Sequence, residues 1–252
     1  MKRLSLTVLL LLLATSCFAG FGMQIIEGPV PVSGGGAFCS GCGTGNLVFC
    51  WEITADNVDI TQSGGCSEGD TTATAQSQVA LVEAPAGKTG YAIFMGGTDA
   101  GGYDAYTFDI VLDDIFNDEE GTIIFDIYIP EWVDQFKILS CVPQANEDQF
   151  YICLTGGNEI RLVYEGSNAG GITVTTPAAD MALDTWYTVA AKWRTGETDP
   201  SLSISCNGST GTSNTDLTAF DTAPDVLRIG SLDGVNGYAY IKNIEVYNAW
   251  ID

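Results

Sequence analysis

The chain is 252 residues long and carries 32 acidic against 9 basic residues, a formal net charge of −23, with no histidine. So acidic a surface repels nucleic acid and anionic membranes. Without imidazole there is no usual general base, no usual zinc ligand and no Ser–His or Cys–His nucleophile pair, so any catalysis would have to rest on carboxylates, tyrosine or lysine.

Lys2 and Arg3 precede an unbroken apolar run from Val8 to Ala14 and then the small-residue stretch "ATSCFAG". This is the pattern of a secretory signal peptide over residues 1–19, with a run too short for a stable membrane span. Two processing outcomes stand side by side. Cleavage after Ala19 releases a protein beginning at Gly20, whereas "LATSC" resembles a bacterial lipobox and would make Cys17 a lipidated N-terminus. Either way the chain is expected to be secreted or held at the cell surface. Removing Lys2 and Arg3 leaves seven basic against 32 acidic residues, a net charge of about −25. That charge suits Ca²⁺, or simply solubility.

Residues 20–45, including "GPVPVSGGGAFCSGCGTG", read as an extended Gly/Pro/Cys-rich leader. From Asn46 onward short strand-like runs recur between turn residues. In order they are "LVFCWEI", "GYAIFM", "YTFDIVL", "GTIIFDIYI", "FKILSCV", "FYICL", "EIRLVYE", "WYTVAAKW", "SLSISC", "VLRIG" and "GYAYIKNIEVY". None has a helical period, and many short strands with polar turns specify an all-β antiparallel sandwich over residues 46–252. About 230 residues suffice for one large domain burying roughly 70% of its unfolded surface.

Alternate residues of a strand point to opposite sides, so parity sorts the faces. Ile123, Phe125, Ile127 and Ile129 share one face; Asp126 and Tyr128 lie on the other. Phe150, Ile152 and Leu154 oppose Tyr151 and Cys153, and Ile160, Leu162 and Tyr164 oppose Arg161. Tyr187, Val189, Ala191 and Trp193 oppose Trp186, Thr188 and Lys192, which makes Tyr187 and Trp193 core residues rather than a platform for sugars. Trp186, at the start of its strand, is expected to plug one end of the core.

The C-terminal half, "LDTWYTVAAKW…SLSISCNGS…VLRIGSLDGVNGYAYIKNIEVYNAW", resembles laminin G-like (LamG) domains of the concanavalin A-like lectin/glucanase superfamily. The matching positions are Trp186, Asn207-Gly208, Leu227-Ile229-Gly230 and Ile241-Ile244-Val246-Tyr247-Asn248. "GYAIFMGGTDAGGYDAYTFD" and "GTIIFDIYI" carry a weaker likeness in the N-terminal half. The resemblance implies a two-sheet jelly roll that binds ligand on a concave sheet face or at its rim loops. On the polar face given by parity (Asp126, Tyr128, Lys137, Tyr151, Arg161, Thr188, Lys192), Tyr128 and Tyr151 would stack on a sugar while Asp126 and Arg161 hydrogen-bond its hydroxyls. The alternative is an ordinary solvated sheet face.

Glycosidases of that superfamily set carboxylates on one strand as E-x-D-x-x-E, so that two flank the scissile bond. "FDIYIPEWVD" has Asp126, Glu131 and Asp134, but Pro130 and the spacing break the shared face, and "DDIFNDEE" reads as a solvated loop. The lyase patterns of the fold are missing as well, so a non-catalytic module is expected. The resemblance also implies Ca²⁺ at the sandwich edge, and the turns "GGTDAGGYD" (Asp99, Asp104) and "SLDGVNG" (Asp233, Asn236) offer the hard oxygen ligands it needs. Asp and Asn serve equally well as plain turn formers.

Seven of the eight cysteines lie beyond the signal peptide, which in an exported protein points to disulfides and a leftover thiol. Cys141 and Cys153 fall on successive strands and, by parity, on the same polar face, so a bridge between them is expected. Cys206 shares the apolar face of Leu202 and Ile204 and reads as a buried free thiol. Cys39, Cys42, Cys50 and Cys66 are spaced C-x2-C-x7-C-x15-C. A four-cysteine zinc site is one reading of these; disulfides pinning the leader to the domain are the better one in an oxidising compartment. The function expected from all this is an exported binding or adhesion module directed at glycans. The alternative is a structural part of an extracellular assembly or virion, with "GFGMQIIEGPVPV" docking onto a neighbour and the partner being a protein surface.

Overall fold

Short runs of alternating apolar and polar residues, cut by glycine and Asn/Asp turns, become strands wherever the computed structural model describes the chain. It describes residues 39, 45–56, 66–67, 73–75, 80–85, 87–96, 108–111, 116–141, 149–166, 171–177, 181–197, 199–220, 224, 226–230 and 237–252. In the first half the strands are β1 (Leu47–Trp51), β2 (Cys66–Ser67), β3 (Ala73–Ala75), β4 (Ala80–Glu83), β5 (Tyr91–Gly96), β6 (Phe108–Val111), β7 (Glu120–Ile129) and β8 (Lys137–Cys141). The second half adds β9 (Gln149–Leu154), β10 (Ile160–Glu165), β11 (Ile172–Thr175), β12 (Thr185–Arg194), β13 (Leu202–Cys206), β14 (Ser209–Ser213), β15 (Val226–Ile229) and β16 (Tyr238–Tyr247). Among the described residues no helix is long and apolar enough to cross a membrane.

The strands pair into two antiparallel sheets that form a sandwich. One has nine strands, in the order β14-β13-β12-β7-β16-β1-β2, with β5 also on β16 and β4 on β5; the other has seven, in the order β11-β10-β9-β8-β15-β6-β3. Residues 37–252 make one compact unit. The signal peptide expected over 1–19, Cys17 with its lipid anchor, and all of the expected leader except Cys39 and Gly45 lie outside the described residues. Cys39 is bridged to Cys50 in β1, which ties a cysteine of the leader to the penultimate strand of the larger sheet.

The core lies between the sheets and is filled by the faces that parity assigns inward. Ile123, Phe125, Ile127 and Ile129 of β7 meet Phe150, Ile152 and Leu154 of β9 and Ile160, Leu162 and Tyr164 of β10 in one cluster. Tyr187 and Trp193 belong to it as well. Trp193 is 0% exposed. Its indole stacks on Phe116 at 5.0 Å, meets Phe150 edge to face at 4.9 Å, and donates its N–H to the Asn117 carbonyl at 3.0 Å. The ring lies against β7 because position 121 has no side chain: a Cβ on Gly121 would collide with the indole.

One disulfide expectation is corrected. Cys141 and Cys153 are both free thiols, and so is Cys206. The reason is a bulge in β8. Lys137 faces Cys153 across the β8–β9 ladder, but after the register shift Leu139 faces Ile152 and Cys141 faces Phe150. The extra residue, Ile138, reverses the parity of the rest of the strand, so Cys141 points into the core while Cys153 stays on the outer face. Cys206 is buried in the core cluster with Leu202 and Ile204.

A second irregularity shapes the larger sheet. The first half of β16 pairs with β5 and its second half with β1, and both halves pair with β7. Between them the register on β7 slips, with Lys242 opposite Asp126 but Glu245 opposite Ile124, and Asn243 sits at φ +53°. Asn is among the few side chains that tolerate that left-handed conformation. At this fork Lys242, 5% exposed, donates to the carbonyls of Ile53 at 3.0 Å, Thr89 at 2.6 Å and Tyr91 at 3.2 Å. The ammonium group thereby uses its protons on three backbone carbonyls at the fork, one of which, that of Ile53, also accepts from the Tyr91 N–H at 3.1 Å.

Candidate functional site

On the outer side of the nine-stranded sheet the registers align side chains into rows that cross the strands. One row is aromatic: Trp186 of β12 stands opposite Tyr128 of β7, Tyr128 opposite Tyr240 of β16, and Tyr240 opposite Phe94 of β5. Successive ring centroids are 5.6, 5.7 and 5.1 Å apart, and Tyr238 continues the strip 6.2 Å from Phe94. These separations follow the 4.7–4.9 Å spacing of neighbouring strands. Trp186, Tyr240, Phe94 and Tyr238 are half-buried. Tyr128 is 8% exposed, held edge-on between its neighbours, and its hydroxyl donates to Asp184 Oδ1 at 3.1 Å. Burial first, and then the Asp184 carboxylate, push the Tyr128 phenol above its ordinary range.

The next row is polar, with Thr188, Asp126 and Lys242 opposite one another on β12, β7 and β16. Asp126 is 6% exposed. Oδ1 accepts from Thr188 Oγ1 at 2.6 Å; Oδ2 accepts from Asn243 Nδ2 at 2.7 Å and from Lys88 Nζ at 2.9 Å. Lys88 reaches it from the β4–β5 turn, whose Pro85 carbonyl also accepts the Trp186 indole N–H at 3.1 Å. Lys88 Nζ lies 6.0 Å from the Trp186 ring centroid. That turn therefore closes over the polar row and leaves the rings beside it as the accessible strip. Both Asp126 oxygens are engaged within the protein, so its carboxylate organises the face rather than offering free acceptors.

Parity expected Asp126, Tyr128, Tyr151 and Arg161 to share one surface. They occupy two. Asp126 and Tyr128, with Thr188 and Lys192, belong to the nine-stranded sheet; Tyr151 and Arg161, with Lys137, belong to the seven-stranded sheet, on the far side of the core. There the register sets Lys137, Cys153 and Arg161 opposite one another on β8, β9 and β10. Lys137 Nζ lies 4.8 Å from the Tyr151 ring centroid. Cys153 is buried beneath this row, and its thiol is pushed up by burial although Arg161 and Lys137 pull it down.

The expected calcium ligands Asp99, Asp104, Asp233 and Asn236 lie outside the described residues. Among the described residues no group of three or more His, Cys, Asp or Glu could hold a metal ion. The residues missed in the sequence are Tyr240, Tyr238, Lys242, Asn243, Phe94 and Lys88. The first three alternate in "YAYIK" opposite Ala239 and Ile241, so parity applied to the last strand would have found them. Lys88 sits in a glycine-bounded turn and carries no sequence signal.

No protein-family model matches the chain, and no curated protein matches it. Solved structures do. The receptor-binding domain of botulinum neurotoxin type G aligns at 12% identity with a TM-score of 0.59, over 82% of this chain and 49% of that one. A botulinum neurotoxin type C structure, titled for cell entry dependent on interaction with two ganglioside molecules, aligns at 12% identity and a TM-score of 0.61, over 82% and 49%. The binding domain of Paraclostridial Mosquitocidal Protein 1 aligns at 12% identity and a TM-score of 0.60, over 82% and 50%. The chain spans about half the length of these structures. What it shares with them is the fold, an all-β sandwich of two antiparallel sheets.

Proposed function

We propose that this chain is an exported, non-catalytic binding or adhesion module that takes carbohydrate on the outer face of its nine-stranded sheet. The observation that carries this reading is the aromatic strip. Four half-buried rings with Tyr128 between them run across β12, β7, β16 and β5 at 5.1–6.2 Å spacing, next to a row whose polar groups are already satisfied. Sugar rings present C–H faces that stack on aromatic rings, and a strip crossing the strands offers several such contacts in line. Similarly folded structures point the same way, one of a botulinum neurotoxin whose cell entry depends on two ganglioside molecules and another of a neurotoxin binding domain in complex with SialylT. A non-catalytic role accords with the lack of histidine and with Asp126 being bound on both oxygens.

The narrower assignment to laminin G-like domains is part of the proposal. In its support, Trp186 lies at the start of β12, Asn207 and Gly208 make the β13–β14 turn with φ of +45° and +89°, and the Ile241–Asn248 motif covers the bulged β16. Export, with or without a lipid on Cys17, is supported by the Cys39–Cys50 bridge, because disulfides persist in oxidising compartments. Calcium at Asp99, Asp104, Asp233 and Asn236 is proposed as accessory to binding. Gly96 and Tyr238, which flank the two turns on the described side, are partners in register.

A glycan array probed with the full chain, with and without Ca²⁺, tests the reading, followed by Trp186→Ala and Tyr240→Ala. Each variant should weaken binding of the captured glycan by about fivefold while the fold persists, the loss expected for one aromatic contact worth on the order of 1 kcal/mol. Binding that survives both substitutions would remove the strip as the site.

A further inference from the structure

The opposite sheet carries a second feature that the aromatic strip does not absorb. Beyond Arg3 the chain has seven basic residues, and three of them, Lys137, Arg161 and Arg228, stand on the outer face of the seven-stranded sheet. In a chain with 32 acidic residues, cations are expected to be scattered and paired. Arg161 is neither. It is half-buried, its side chain makes no hydrogen bond or ion pair among the described residues, and its Nε is buried without an acceptor. A buried donor left unmatched costs free energy in the free protein, and a guanidinium is a planar fork suited to an oxyanion.

The surroundings define what would fit. Arg161 and Lys137 flank Cys153 in one row, and Tyr151 lies on the same face of β9, one pleat away. Cys153 is small and, held as a neutral thiol by burial, does not compensate the guanidinium. Among the described residues the acidic group that acts on this thiol is Asp134, and its Oδ1 already accepts from the Gly156 N–H at 2.8 Å. Thr175 stands opposite Arg161 on β11 and supplies a hydroxyl at the row's end. The row therefore combines two cations, a phenol ring and a hydroxyl around a small, uncharged floor.

We propose that Arg161, Lys137 and Tyr151 form a second binding site, on the face opposite the aromatic strip, for the carboxylate or sulfate group of an acidic saccharide. Arg161 grips two oxygens of the group, Lys137 supplies the second positive charge, and the Tyr151 ring takes the face of the sugar. That the oxyanion is carried by a saccharide rests on the proposed carbohydrate function; the oxyanion pocket itself does not.

The test uses the full chain and calorimetric titration with three tetrasaccharides: one sulfated, one of galacturonic acid and one neutral, cellotetraose. At least one acidic probe should bind about tenfold or more tightly than the neutral one, the usual weight of hydrogen bonds to a charged group. That preference should weaken with added salt, shrink in Arg161→Lys, which keeps the charge but loses the fork, and vanish in Arg161→Gln and in the half-buried Lys137→Gln. The ¹⁵N-edited Nε–Hε resonance of Arg161 should shift on binding, a readout that a purely structural arginine would not give. Whichever of the sulfated and carboxylated probes moves that resonance identifies the group recognised. If no acidic preference exists, or if it persists in both glutamine variants, the site is overturned. Acidic probes that bind through Arg161 while the neutral probe is indifferent to Trp186→Ala would sink the aromatic strip and leave this site standing.

Discussion

Replacing Trp193 by alanine decides whether the dense rings of "WYTVAAKW" are core or platform. Trp193 is fully buried, stacked on Phe116 at 5.0 Å and packed edge to face with Phe150 at 4.9 Å. Truncating so large a side chain typically costs ~3–5 kcal/mol, the spread depending on how far the site collapses. Collapse is limited here, because Phe150 of β9 and the backbone at Gly121 of β7 close on the indole from strands of opposite sheets. The Asn117 carbonyl also loses its donor at 3.0 Å, adding ~1 kcal/mol if water does not reach it. The upper half of the range, about 4–5 kcal/mol, is therefore expected, against a total stability on the order of 5–15 kcal/mol. With a urea slope of roughly 2–3 kcal/mol/M for a domain of this size, the midpoint should fall by about 1.5–2 M. Far-UV circular dichroism is the assay to use, since the substitution removes a fluorophore. Trp186→Ala is the control: that ring is half-buried on the outer face and should cost well under half as much. A Trp193→Ala protein with the wild-type midpoint, or a Trp186→Ala protein equally damaged, would refute the assignment of the two faces.

Burial, reinforced by the Asp126 charge and opposed by the Tyr247 hydroxyl at 2.9 Å, raises the Glu245 carboxyl above its ordinary value of 4.5. Between that value and the folded one the native state binds the proton and the unfolded chain does not, so this group's contribution to stability is complete below pH 4.5 and is lost as pH rises through the folded pKa; Glu245→Gln should gain on wild type in urea midpoint over that interval, and a difference independent of pH would contradict it. Burial likewise raises the thiols of Cys141, of Cys153 and of Cys206, the last to about 12. Peptides containing these three should resist iodoacetamide at pH 8 in the folded protein and label fully in urea without reductant, whereas Cys39 and Cys50 should not; a Cys141–Cys153 cross-linked peptide would overturn the β8 bulge.

Inside versus outside was legible in the sequence because it is a local property. Period-two alternation put Phe125, Ile152, Leu162, Val189 and Trp193 inward without any knowledge of neighbours, and all are buried. Two bulges mark where the rule stops. At Ile138 the sequence "FKILSCV" has an apolar pair that fits either parity, so nothing in it announces that Cys141 turns inward. At Asn243 a signal was present: the apolar positions 241, 244 and 246 break the period once, and Asn is a residue that accepts the break. Strands β11 and β14 went unread for another reason. Each edge strand is rich in Thr, Ser or Gly, and of their nine residues Val174 alone is buried, so almost no apolar pattern exists to read.

Sheet membership is not local, and this is why the expected site came apart. Asp126 and Arg161 have the same local signature, a polar residue between two core residues of a strand, and parity treats them alike. What separates them is which strands hydrogen-bond: β7 joins β12 and β16, while β10 joins β9 and β11. In a sandwich every strand has an outer face, so "outward" names two surfaces separated by the thickness of the core. The division has a chemical result. On the face holding Asp126, Lys88 matches the carboxylate and three carbonyls hold Lys242, and beside that row runs the aromatic strip. The face holding Arg161 leaves the buried Nε of its guanidinium without an acceptor among the described residues. One surface is thus suited to the apolar side of a sugar and the other to a negative charge, a distinction that a single merged site would have concealed.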